Sequence, residues 1–396
     1  MIRRLQAFDR DLLLIYLSSF LWGFGVYLYF YVQPLYITQL GATPAQVGLA
    51  LGLGGFVVTF LYAPIGLWAD RRGRKPVILA GWLLGTISGF GMALAPDWRW
   101  FVPAYAGYLL SNFAVSVLNG YITAKTTPQA RTAVFATMSS TGVVGSIIAP
   151  AIGGWIGEHY GLRTVYFCAA LIYTLSTLSI LLIRPQPAEP QANRASASQL
   201  LRDRSFLRVI LLVFLLFFAV DVGQVLAPKY LAEVRGYSVN QIGWLGTIGA
   251  LGVVLLMQSL SKLPGERRIT LVVSQTVALL GLLLLLITPA FPVAALAFLI
   301  GGGNRLIRPP TVVHVARLLT PATLSFGMGL QMTATQLGLS VSPYVAGLLY
   351  AQNPVWPFYA GAIGLSLTLL LTFSLLSSLS TQSKGLPEIG NSETGR

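Results

Sequence analysis

Apolar and polar positions along this chain alternate in long blocks, not at the short period of a soluble strand or an amphipathic helix. Twelve apolar runs recur: Leu12–Val32, Gln46–Trp68, Val77–Ala95, Phe101–Ala124, Thr132–Ile156 and Val165–Ile183, then Leu207–Leu231, Val239–Leu260, Ile269–Ile287, Phe291–Val315, Leu324–Tyr350 and Val355–Leu376. Each is close to the ~20 residues a helix needs to cross hydrocarbon. The pattern predicts an all-α membrane protein of twelve transmembrane helices. The first run is too long for the apolar region of a signal peptide and lacks a small-residue cleavage site, so it reads as a retained helix.

The longest polar break, 185–206, is rich in Pro, Ala, Ser and Arg and divides the runs six to six. It predicts an N-terminal six-helix bundle (1–184), a cytoplasmic linker (185–206), a C-terminal six-helix bundle (207–378) and a polar cytoplasmic tail (379–396). The halves also repeat one another. Gly145, Ala149, Pro150, Gly153 and Gly154 match Gly338, Ser342, Pro343, Ala346 and Gly347 at an offset of 193. Thr127-Pro128 and Thr320-Pro321 precede them at the same offset. Gly41, Thr43, Gln46 and Gly48 match Gly236, Ser238, Gln241 and Gly243 at an offset of 195. Ordered matches at near-constant offset predict a duplicated six-helix unit, a plan that recurs in secondary transporters.

Composition sharpens the picture. Of 396 residues, 55% are hydrophobic and 10% charged, and the net charge is +14. A soluble domain carries about a quarter charged residues. The basic residues sit in short gaps between apolar runs, which argues against a nucleic-acid partner. With the N-terminus inside, twenty of the 26 lysines and arginines fall in or beside inner loops. That bias predicts a multi-pass protein of the cytoplasmic (inner) membrane with both termini cytoplasmic. One cysteine, Cys168, permits no intramolecular disulfide, and His159 and His314 lie far apart, so no metal site is expected. No phosphate-binding glycine loop or nucleophile elbow is present. Neither an enzyme nor a cofactor is expected, and the protein is expected to be monomeric.

One loop is specific. Gly66-Leu67-Trp68-Ala69-Asp70-Arg71-Arg72-Gly73-Arg74-Lys75 concentrates charge between two apolar runs. It resembles the signature of the major facilitator superfamily between helices two and three, with Trp68 the only departure. The resemblance covers almost the whole chain and points to the drug/proton antiporter branch. It implies the major facilitator fold, two pseudo-symmetric six-helix bundles, and alternating-access transport. It also implies that Gly66, Asp70, Arg71, Gly73 and Arg74 form a conformational latch against the start of helix eleven, near Leu324. The second-half counterpart, residues 262–268, lacks the acid. The run Gly145 to Gly154 resembles a second signature, associated in the family with antiporters, with Ala149 replacing a glycine. Gly145, Pro150, Gly153 and Gly154, with Gly338, Pro343 and Gly347, are the expected close-packing positions of helices five and eleven. An arginine that family drug antiporters often carry in helix four is absent here.

Charges inside the spans are the candidate chemistry. Asp221 is the one acid well inside a run, in helix seven. Arg305 and Arg308 share a face of helix ten. Three roles stay open for them: a fixed ion pair, proton uptake and release by Asp221, or anion binding by the arginines with Asp221 as partner when the site is empty. His314 lies further along helix ten and reads as a polar helix-end residue. Tyr105, Tyr108, Asn112, Ser116 and Asn119 make a stripe in helix four. Trp22, Tyr27, Phe30 and Gln33 lie in helix one. Such aromatic faces suit a mostly apolar organic ligand, and about half are expected to reach the cavity. The candidate binding set is Arg305, Arg308, Asn112, Asn119, Tyr108, Tyr27 and Gln224.

The sequence therefore predicts a secondary active transporter of a small organic compound, with proton-coupled efflux as the first reading. Symport or exchange of an organic anion through Arg305 and Arg308 is the alternative. A membrane sensor that transports nothing is a further one.

Overall fold

The computed structural model describes residues 9–56, 73–186, 200–261, 267–287, 290–301, 303–316, 318–320 and 323–383. Each of the twelve apolar runs is mainly helical over its described residues. The helices of the first half are α1 (Arg10–Tyr29), α2 (Gln33–Gln39), α3 (44–56), α4 (Arg74–Leu94), α5 (Trp98–Ser111), α6 (Phe113–Lys125), α7 (Pro128–Tyr160) and α8 (Leu162–Leu181). Those of the second are α9 (Arg204–Gln224), α10 (Ala227–Glu233), α11 (Val239–Ser261), α12 (Arg267–Ile287), α13 (Phe291–Gly301), α14 (Gly303–Ala316), α15 (Leu324–Gln352) and α16 (Trp356–Ser383). Among the described residues, nine helical stretches are long and apolar enough to span a bilayer.

Two of the expected spans are broken in two, the fourth between α5 and α6 and the seventh between α9 and α10, and the first runs past the end of α1, with α2 starting one residue beyond it. Pro34 and Pro228 explain the starts of α2 and α10, because each ring removes a donor and starts a new helix at its first positions. The second half also begins earlier than expected. Asp203 caps α9 by accepting from the Ser205 amide at 2.8 Å, so the helix starts at Arg204, inside the expected linker. α16 continues past the expected tail boundary to Ser383.

The repeat is visible in how the ends are built. Asp9 caps α1 by accepting from the Asp11 amide, as Asp203 caps α9. Gly41 and Gly236 both adopt positive φ, 87° and 72°, before α3 and α11. Each of those helices then opens with a reciprocal capping box. Thr43 N donates to Gln46 Oε1 at 2.9 Å, and Ser238 N donates to Gln241 Oε1 at 2.9 Å. α1 packs on α7 and α8, and α9 packs on α15 and α16.

The surface is turned inside out relative to a soluble protein. Leu171, Leu175 and Leu178 are exposed on one face of α8, while Ser176 and Tyr173 are buried on the other. Within the first half, the Trp82 indole donates to Ser18 and Ser176, and the two hydroxyls lie 2.8 Å apart. Hydrogen bonds of this kind, and small residues, hold helices together where lipid removes the hydrophobic drive.

Candidate functional site

α1, α7, α9 and α15 start at one end of the molecule, here the near end, and finish at the other, the far end. Toward the far end the halves meet backbone to backbone. A Cβ on Gly48 would lie 2.0 Å from the Pro343 carbonyl oxygen, and one on Gly243 would lie 2.5 Å from that of Pro150. Gly347 faces Pro44 and Gly48, and Gly154 faces Gly243. So α3 crosses α15 as α11 crosses α7, two versions of one contact. Gly145 and Gly338 face inward within their own halves, on Phe24 and Phe214, and Gly153 lies on the Leu28 carbonyl. The packing glycines read from the repeat thus divide between a seam and two internal contacts.

Polar bonds add to the seam. Lys229, 2% exposed, pairs with Glu233 one turn on and donates to Thr38 Oγ1 of the other half at 2.8 Å. Tyr350 Oη donates to Glu233 at 3.1 Å, and its ring lies 5.8 Å from the Lys229 ammonium. Glu158 accepts from the Asn240 amide at the start of α11, at 3.2 Å. Lys229 was not singled out from the sequence. Its place beside Pro228, where the seventh run breaks, was the available signal.

Beneath the seam two cavities lie between the halves. One, of about 320 Å³, is lined by Asp221 and Gln224, with Gln33, Tyr31, Tyr105, Gln336 and an apolar wall that includes Phe298 and Leu282. The other, of about 500 Å³, is lined by Trp22, Tyr27, Tyr108, Asn112, Ser139 and Ser146. Val253 lines both. The volumes suit small organic molecules. Each break described above delivers residues here: Phe30 and Gln33 flank the first, Asn112 marks the second, and Gln224 and Ala227 flank the third. Irregular backbone at membrane depth is tolerated where it lines a cavity.

Asp221 accepts a hydrogen bond from Ser342 Oγ at 2.6 Å. Ion pairs among the described residues join Lys125 to Asp9 and Asp11 and Lys229 to Glu233, none of them at Asp221. Arg308 is exposed and lines neither cavity, and the Arg305 side chain lies outside the described residues. Ser342 was read from the sequence only as a repeat position, although Ala149 and Ser342 are one of the two pairs among the five matched that differ in residue type.

Of the expected set, Tyr27, Tyr108, Asn112, Gln224 and Asp221 line the cavities, and Asn119 lines neither. Tyr108 is part of an aromatic stack, 6.0 Å from Trp22 and 5.8 Å from Tyr173 between ring centroids. Gly66, Asp70 and Arg71 lie outside the described residues. Gly73 has φ 81°, and Arg74 donates to Gln186 Oε1 at 3.1 Å, which ties the start of α4 to the residues after α8.

Two repeated helical units, a lipid-facing exterior and a ligand-sized cavity at their junction define a membrane transporter. A family model described as the Major Facilitator Superfamily matches residues 15–265 and 222–393, and the chain belongs to that family. Multidrug resistance protein 1 of Bacillus subtilis (strain 168) is 25% identical over 363 residues, 88% of this chain and 92% of that protein. Quinolone resistance protein NorA of Staphylococcus aureus is 25% identical over 370 residues, 91% of this chain and 94% of that protein. Among solved structures, the nucleoside transporter NupG superposes with a TM-score of 0.76 at 15% identity, over 94% of this chain and 99% of that one. A bacterial homolog of the human lysosomal transporter Spinster, inward-facing and unoccupied, gives 0.67 at 18% identity, over 94% and 95%. These structures share its fold.

Proposed function

We propose that the protein exports small organic compounds across the cytoplasmic membrane by alternating access, driven by proton entry through Asp221. The observation that carries this reading is the carboxyl of Asp221 at the cavity between the halves, bonded to the Ser342 hydroxyl and, among the described residues, to no basic side chain. A carboxyl so placed can exchange a proton or a cationic ligand, since among the described residues no ion pair holds it charged. The relatives named for multidrug and quinolone resistance support export of drug-like molecules. Aromatic walls at Tyr27, Tyr108 and Trp22 suit such cargo.

In this reading the near end is cytoplasmic, by the bias of basic residues, and the seam closes the outer face. The two functional units are the six-helix halves on either side of the linker, which ends where Asp203 caps α9, and a monomer suffices because the cavity draws on both halves of one chain. The loop 66–75 latches the near end in the opposite state. Exchange of an organic anion through Arg305 and Arg308 gains no support from the exposed position of Arg308.

The test is flux in liposomes holding purified protein, with an imposed pH gradient and a fluorescent organic cation. Wild type accumulates the dye against its gradient. Asp221→Asn abolishes gradient-driven accumulation while dye exchange persists. Undiminished accumulation in Asp221→Asn refutes the coupling role.

A further inference from the structure

The two crossings of the seam share their glycines but not their polar groups. Thr247 of α11, 8% exposed, clasps α7. Its hydroxyl donates to the Ile147 carbonyl at 2.7 Å and accepts from the Ala151 amide at 3.2 Å. Ile147 and Ala151 stand one helical rung apart, so the clasp grips the two ends of a single rung of α7, beside Pro150. The repeat offsets pair Thr247 with Gly52 and Ile147 with Ser340. There a Cβ on Gly52 would lie 2.2 Å from the Ser340 carbonyl oxygen, and glycine has no side chain with which to clasp it. The same contrast recurs nearer the far end. Glu158 accepts from the Asn240 amide, while the paired positions are Ala351 and Ala45. Hydrogen bonds between helices hold them where lipid removes the hydrophobic drive. The α7–α11 crossing is therefore the harder of the two to part.

The cavities divide along the same line. Leu51 and Gly55 of α3 and Gln336 and Leu339 of α15 line the cavity of Asp221, and none of its described lining comes from α7. The larger cavity is lined by α7 and α11, through Ser139, Ser146 and Val254, with no described lining from α3 or α15. α15 also carries the partner of the carboxyl. Ser342 donates to Asp221, and the next residue, Pro343, presents the carbonyl that meets Gly48. A change at Asp221 thus acts through Ser342 on the crossing that resists less.

We infer that the far end parts unevenly: α3 and α15 separate further, α7 and α11 turn on the Thr247 clasp, and cargo leaves the Asp221 cavity between α3 and α15. Thr247 is a positioning residue in this scheme, acting through α7. The inference rests on the seam being the outer closure of the transport cycle.

The test places cysteines in the two equivalent pairs, Ala45→Cys with Ala351→Cys and Glu158→Cys with Asn240→Cys, in the full chain carrying Cys168→Ser. Each pair is joined by a short bismaleimide in liposomes, and the transported probe is rhodamine 6G, a fluorescent organic cation. Joining positions 45 and 351 slows gradient-driven accumulation about tenfold or more, and joining 158 and 240 slows it less than about twofold. The rate of joining during turnover reads the clasp itself. In Thr247→Val the rate at 158 and 240, relative to that at 45 and 351, falls about fivefold, as for the loss of one hydrogen bond, and Thr247→Ser keeps it. An unchanged relative rate in Thr247→Val overturns the inference. So does an equal loss of accumulation on joining either pair, or a greater loss from 158 and 240. If joining neither pair slows accumulation, the seam is not the outer closure, and the proposed transport cycle fails together with this inference.

Discussion

Replacing Gly48 by alanine tests the seam most directly. The added Cβ would sit 2.0 Å from the Pro343 carbonyl oxygen and 2.8 Å from its carbon. Ordinary contact begins at 3.4 Å, so the α15 backbone must retreat by about 1.4 Å along that line. The obstacle is main chain in the middle of a helix, with no rotamer to turn aside. Overpacking of this kind costs ~1–3 kcal/mol. The cost falls only on states in which the far ends touch, so it becomes a conformational bias of roughly 5–150-fold toward states in which they part. Electron–electron distance measurement reads this out, with spin labels on cysteines at the exposed far-end positions Tyr160 and Val234 and the native Cys168 exchanged for serine. Gly48→Ala shifts the distribution toward longer distances. Gly243→Ala does the same, because it meets the Pro150 carbonyl at 2.5 Å. Gly142→Ala is the control, since nothing lies within 4 Å of its Cβ. An unchanged distribution in both seam variants refutes the reasoning.

Three further outcomes follow from single contacts. Thr38→Val removes the acceptor that Lys229 reaches across the seam and shifts the same labels toward longer distances by about tenfold in population, since bonds to charged groups contribute ~1.5–3 kcal/mol. Trp82→Phe deletes the indole donor to Ser18 and Ser176 and lowers stability by ~1 kcal/mol, read as a lower melting temperature in detergent. Asp203→Ala removes the cap of α9 at a cost of ~1 kcal/mol, read the same way, with no effect on the affinity of the cavity for rhodamine 6G.

The fold was largely legible before any coordinates, because spanning length and the repeat are both written in residue type. Gly48 and Gly243 were paired by sequence offset, and the structure places them in the two equivalent crossings. What sequence could not give was which small residue meets which helix. Gly145 and Gly154 stand in one motif, yet one faces its own half and the other faces across. The breaks at 30–32 and 225–226 were missed because apolar side chains run through them without interruption. Pro34 and Pro228 were the local signal, and hydropathy outweighed it. Asp221 stood out as a charge among apolar neighbours. The structure gives its carboxylate a hydrogen bond from Ser342 of α15, a partner the sequence did not suggest, and the Arg305 side chain lies outside the described residues.

The interruptions after α1 and after α9 have a mechanical consequence. A continuous rod transmits tilt from one end to the other. A rod with an elbow does not. α2 and α10 are the stubs beyond the two elbows, and the bond from Lys229 to Thr38 ties one stub to the other. They form a cap above the cavity, jointed to the long rods below it and cross-linked to itself. The lid over the cargo can therefore respond as one piece to what sits beneath it, while the long helices keep their own angle.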